Sequence, residues 1–270
     1  MKNKIYDCIT FFEENFQANL RFNILNKHVD TFVVCESIYD HKGNHKGINF
    51  DINQHSQFKD KIKHLILEKE FPDTSSPWKT QAFQREYIFE ALKDTDDNDL
   101  IMFSDPDEIP RPEILKDIKL TKKYGIFLQN MYCYKFNIFN QEESPWEGTR
   151  ICLRKNLFSI DYMRQKVLKK NLKYKFWRVD KEKDIQIINN GGWHFNYLLK
   201  PEKISKKLKT FAHVEFGKDE FSNIDTIKKK ILEMKDLFNR DHNYQKVKID
   251  NTYPDYIINN KDKFNEWIKE

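Results

Sequence analysis

A chain of 270 residues with 39% apolar and 14% aromatic side chains is long enough to bury one sizeable core, which excludes disorder as its main state. Formal net charge is +5, from 47 basic and 42 acidic residues; this mild excess reads as dispersed over solvated faces such as Lys228 to Lys230, not as a nucleic-acid-binding stripe. No run of about 18 apolar residues exists to span a membrane, and no charged, apolar, small-residue leader follows Met1.

In chain order, Ile5–Phe12 reads as a first strand, and Glu14–Asn26 has helical spacing in Phe16, Leu20 and Ile24. The apolar run Phe32–Cys35 reads as a buried strand ending at Glu36 and Ser37, followed by a polar loop. Ile62–Leu67 is a third strand. Pro77 opens a helix to Lys93 that puts Gln81 and Arg85 on one face. Asp99–Ser104 is another buried strand, running straight into Asp105-Pro106-Asp107-Glu108-Ile109-Pro110. Tyr124–Phe136 is a long aromatic strand, and Ile185–Asn189 a short one followed by Gly191-Gly192-Trp193-His194. Helical segments beginning near Pro201, Asp225 and Asn259 close the chain. Strand and helix alternate through the first hundred residues, which implies an α/β fold with a largely parallel sheet. With no repeat and no linker, residues 1–270 read as a single domain. Cys8, Cys35, Cys133 and Cys152 form no Cys-x-x-Cys pair and read as buried free thiols of a reducing compartment.

Ligands of open α/β sheets bind beyond the carboxyl ends of the strands. Asp105 and Asp107 stand at such an end, and carboxylates two residues apart on a turn can converge on one hard cation such as Mg²⁺ or Mn²⁺. An acidic turn that is merely solvated has the same pattern, but its position after an apolar strand favours the cation. His194 is a second anchor. The two glycines before it would let the backbone approach a ligand, Trp193 would offer an apolar wall, and its imidazole could complete a metal shell.

Four segments resemble glycosyltransferase family 17: Phe32-Val33-Val34-Cys35-Glu36-Ser37, Asp105-Pro106-Asp107-Glu108-Ile109-Pro110, Gly192-Trp193-His194, and Tyr253-Pro254 with the helix after it. The resemblance implies a GT-A-type, Rossmann-like fold, with a mixed, mostly parallel sheet flanked by helices and with C-terminal helices. It implies a nucleotide-binding half over about 1–110, an acceptor-side half over about 111–270, and UDP-N-acetylglucosamine as donor with inversion at the anomeric carbon. By that likeness Asp105 and Asp107 hold the metal and diphosphate, joined by His194. Glu36 matches an acidic residue near the nucleoside, and Gly43 and Lys46 match the loop after it. Arg164 matches an arginine suited to phosphate or acceptor, and Arg85 and Lys46 would add positive charge. Glu215 is the expected general base, oriented by His213, with Glu108 and Glu147 as rivals; Glu108 could instead brace the turn. The membrane anchor and stem of animal members are missing, which suits a soluble, cytoplasmic protein of a bacterial or viral setting, acting on a glycan acceptor and not on nucleic acid. Two other readings compete: a non-catalytic sugar-binding module, and a haloacid-dehalogenase-type phosphatase with Asp105 as nucleophile.

Overall fold

The computed structural model describes residues 3–210 and 219–270. Four parallel strands form its first half: β1 (Ile5–Phe11), β2 (Thr31–Ser37), β3 (Ile62–Leu67) and β4 (Leu100–Ser104), in the order β3-β2-β1-β4. Later strands extend the same sheet: β5 (Glu108–Pro110), β6 (Tyr124–Cys133), β7 (Ile138–Phe139), β8 (Trp146–Leu153), β9 (Ile185–Asn196) and β10 (Gln245–Lys246). β8 joins β4 to β6 by antiparallel pairing, β6 pairs parallel with β9, and β9 carries β5 on its other edge. The sheet is therefore mixed, with most of its paired residues in parallel ladders, as expected.

Helices flank it: α1 (Asn15–Leu25), α2 (Pro77–Tyr87), α3 (Pro112–Leu115), α4 (Ile160–Gln165), α5 (Pro201–Thr210), α6 (Asp219–Ser222), α7 (Ile224–Glu233) and α8 (Asp255–Ile258). Strand side chains alternate between faces. Phe32 and Val34 of β2 and Leu100 and Met102 of β4 join α1 and the C-terminal Phe264 in one core. Val33, Cys35, Ile101 and Phe103 point the other way and pack with Ile88, Ile160 and Met163. Both faces of the parallel half are thus covered, which explains its unbroken apolar runs. A third core holds Ile204 and Leu208 of α5 and Ile227 of α7 against Met131 and Cys133 at the end of β6. All four cysteines are buried and free.

Three elements differ from expectation. The helix opened by Pro77 becomes a 3₁₀ turn at Ile88–Leu92. β8 was not foreseen, because Glu147, Gly148, Thr149 and Arg150 interrupt its apolar pattern. The Gly-Gly-Trp-His segment is not a loop: β9 continues through it to Asn196.

Candidate active site

β1 and β4 run parallel and end together, so Phe12 and the Asp105-Pro106-Asp107 turn emerge at one edge of the sheet. A cavity of about 450 Å³ opens there, floored by that turn and walled by Trp146, His194 and Lys207. The turn is followed at once by β5, which pairs antiparallel with β9 in the register Glu108–His194, Ile109–Trp193 and Pro110–Gly192. The two motif segments are thus neighbours on one ladder. This pairing is what the glycines serve. A Cβ on Gly192, whose φ is +136°, would lie 2.2 Å from the Ile109 carbonyl oxygen, and one on Gly191 would lie 2.8 Å from the Leu128 amide nitrogen. The glycines let strands approach each other, not a ligand.

Asp107 is buried. Its Oδ1 is 3.6 Å from His194 Nε2 and its Oδ2 3.9 Å from Lys207 Nζ. Burial alone would raise the Asp107 carboxyl, but His194 and Lys207 outweigh it and hold it below the usual carboxylate range. Burial would lower the His194 imidazole, and Asp107 reverses this and raises it. Asp105 is half-buried. Arg164 Nη2 donates to its Oδ2 at 2.6 Å, and Arg85 Nη2 lies 4.0 Å from Oδ1. These guanidinium groups overcome its burial and lower its pKa, against repulsion from Asp107.

Beneath the turn, Glu108 is fully buried. Its carboxylate accepts from both Arg164 terminal nitrogens at 2.7 and 3.0 Å, from Trp146 Nε1 at 2.7 Å and from the Asp105 amide at 3.2 Å. Its carbonyl accepts from Arg21 at 2.6 Å, and Arg21 is itself clamped by both oxygens of Asp7 at 2.6 Å. This buried pair ties β1 and α1 to the motif.

The other expected residues differ in where they fall. Arg164 and Arg85 reach the motif; Arg85 is buried and also bonds Asp161 at 2.9 Å. Glu36 and Lys46 pair with each other at 2.7 Å beside the site, outside the cavity's lining. The Glu36 carboxylate is spent on the loop after β2, accepting from the Asn49 and Phe50 amides. Trp193 is a correction: strand alternation turns it away from His194 into the core, where it is 1% exposed and donates to the Thr252 carbonyl. The ring beside His194 is Trp146, with centroids 5.1 Å apart. Glu147 accepts from the Lys169 amide and lines no part of the cavity. Glu215 and His213 lie outside the described residues.

Sequence reasoning missed Lys207, Trp146 and the Asp7–Arg21 pair. Lys207 is one of several lysines in α5 and carries no local signal; only its place on the helix aims it inward.

The donor set can be tested for a divalent ion. Ligands each about 2.0–2.2 Å from one ion stand roughly 3 to 4 Å apart, which Asp107 Oδ1 and His194 Nε2 satisfy. His194 Nδ1 is buried with no hydrogen-bond partner among the described residues, so Asp107 is the ring's polar engagement there. No group of three His, Cys, Asp or Glu gathers closely enough to hold an ion among those residues. The Asp107–His194 pair could supply two ligands, which would leave the rest of an ion's shell to phosphate and water, as is common for Mg²⁺.

A sheet that presents its acidic motif beyond the ends of parallel strands is the build of an α/β protein that binds its ligand at that edge. The model of glycosyltransferase family 17 matches residues 1–265, and the chain belongs to that family. No curated protein matches it significantly. Among solved structures, it is similar to TarS 1–349 of S. aureus at 15% identity, covering 86% of this chain and 71% of that one with a TM-score of 0.36. It is also similar to the glucosyl-3-phosphoglycerate synthase of Mycobacterium tuberculosis in complex with UDP, at 11% identity, 95% and 92% coverage and a TM-score of 0.37. A glycosyltransferase involved in glycosylating the major capsid of PBCV-1 gives 10% identity, 69% and 82% coverage and a TM-score of 0.30. At such scores none of these likenesses bears on how the site is read.

Proposed function

We propose that the protein moves a sugar from a UDP-sugar, N-acetylglucosamine by its family likeness, to a hydroxyl of a glycan acceptor with inversion. One observation carries this reading: β5–β9 pairing brings Asp105, Asp107 and His194 together in the lining of one cavity, with Arg164, Arg85 and Lys207 around them. Asp107 and His194 would hold Mn²⁺ or Mg²⁺, with Asp105 beside them engaged by Arg164. Such an ion, when bound, supplies charge that stabilises a departing diphosphate. Arg164 fixes the Asp105 carboxylate toward the turn, and Arg85 and Lys207 add positive charge where the leaving group's negative charge would grow. The aromatic ring of Trp146 offers the cavity an apolar wall beside His194.

The acceptor hydroxyl needs a general base within hydrogen-bond reach. Glu108 is an unsuitable one, because four donors already occupy its carboxylate. Glu147 stands outside the cavity lining. Glu215 is retained for this role. Family membership argues against the phosphatase alternative.

The test is a panel of UDP-sugars with glycan acceptors, with Mn²⁺ and with a chelator, following UDP release and thermal stability. UDP-N-acetylglucosamine should raise the melting temperature only with the ion and should be turned over. Stabilisation without any transfer or hydrolysis would favour the non-catalytic sugar-binding module. No response to any nucleotide sugar would sink the reading.

A further inference from the structure

Residues 172–180, just before β9, are exposed without interruption. Side chains that folding usually buries stand outermost there: Phe176 is 85% exposed, Val179 93% and Trp177 57%. A contiguous apolar patch of this kind on a folded surface marks an interaction site. The segment is held in shape. Lys183 Nζ donates to the carbonyls of Lys175, Phe176 and Arg178 at 2.7, 3.2 and 3.0 Å, closing a turn that leaves these side chains outside.

The surrounding charge is one-sided. Between Gln165 and Asp184 stand eight basic residues against three acidic ones, an excess as large as the +5 of the whole chain. The acidic residue within the exposed run, Asp180, is taken by Arg178 at 2.7 Å and Lys181 at 3.1 Å. Lys170, Lys173 and Lys175 have no carboxylate partner among the described residues.

We propose that this segment docks the protein on an anionic lipid surface. Phe176, Trp177 and Val179 enter the boundary between headgroups and acyl chains, and the lysines meet lipid phosphates. Each half of the pattern needs the other. A glycan could stack on Trp177 but gains nothing from Val179, and an apolar protein groove does not call for a ring of unpaired lysines. The segment begins seven residues after α4, whose Arg164 reaches Asp105, so the docking face and the motif are joined by a short stretch of chain. The proposal does not depend on sugar transfer.

Its test is co-sedimentation of the purified protein with vesicles of phosphatidylcholine alone and of phosphatidylcholine with phosphatidylglycerol. Binding is expected to the anionic vesicles alone and should weaken as salt rises. The triple substitutions Phe176→Ser/Trp177→Ser/Val179→Ser and Lys170→Glu/Lys173→Glu/Lys175→Glu should each lower the partition coefficient about tenfold or more. Both sets lie on the surface, so far-UV circular dichroism and melting temperature should stay unchanged. Failure to bind either vesicle, or binding at the wild-type level by either triple variant, overturns the proposal. So does a wild-type dimer that the apolar triple variant dissociates in analytical ultracentrifugation, which would assign the patch to a second copy of the chain.

Discussion

Arg164 bonds Asp105, Glu108 and the Gly148 carbonyl at once. Its removal leaves a fully buried carboxylate uncompensated, so Arg164→Met should cost about 3 kcal/mol in a denaturant titration. Arg164→Lys should not rescue it, because an ammonium cannot reproduce the fork. Glu108→Gln separates brace from base: as a brace it should lower stability yet keep the shape of the pH–rate profile, whereas loss of one limb of that profile would make Glu108 the base. Asp107→Ala should reduce turnover at least about a hundredfold while the folded spectrum persists; undiminished turnover would remove Asp107 from the chemistry. At this scale the acidic motif was legible because its residues are contiguous and follow an apolar strand. Trp193 was misjudged because two glycines read as a loop, and a loop hides the alternation that separates it from His194. The Asp7–Arg21 clamp left no trace in the sequence, since nothing local joins a strand carboxylate to an arginine on the next helix.

Among the elements, β5 and β9 meet only because position 192 lacks a side chain. Gly192→Ala combines a positive φ with a methyl driven into the Ile109 carbonyl, so it should lose about 2 kcal/mol or more. Urea unfolding followed by tryptophan fluorescence would measure this, and a wild-type midpoint would show that the ladder is not tight there. After α7, Asp236 anchors the chain that carries Arg240 to the cavity wall, accepting from Arg240 Nη2 at 2.7 Å and from the Tyr244 hydroxyl at 2.9 Å. Burial would raise its pKa, but bonds from Arg240 and Tyr244 prevail and lower it. A depressed carboxylate stabilises above its unfolded value of about 4 and loses that contribution as pH falls through the lower folded value. Asp236→Asn should therefore be less stable near neutrality and lose less on acidification; parallel stability curves would contradict this. β1 to β4 and α1 were readable because apolar runs and helical spacing state burial locally. β8 was not, because its buried polar residues are satisfied by distant partners: the Glu108 carbonyl accepts from Thr149 and the Val167 carbonyl from Arg150.

Across the whole molecule, one sheet runs through both halves of the chain, and one core draws on residues from Ile5 to Phe264. A single cooperative transition should follow, with far-UV circular dichroism and tryptophan fluorescence changing together; two separated midpoints would instead mark two domains. Net charge misled at this scale, since a sum cannot show that the basic excess gathers between Gln165 and Asp184. The ladder between β5 and β9 also sets when the candidate site can form. A nascent chain that has just emerged to Asp107 carries both aspartates but neither His194 nor Lys207, and neither β5 nor β9 has yet been made. Synthesis of the second half is therefore the assembly step, and a ribosome stalled before it holds a protein with its acidic signature written and its candidate site unbuilt.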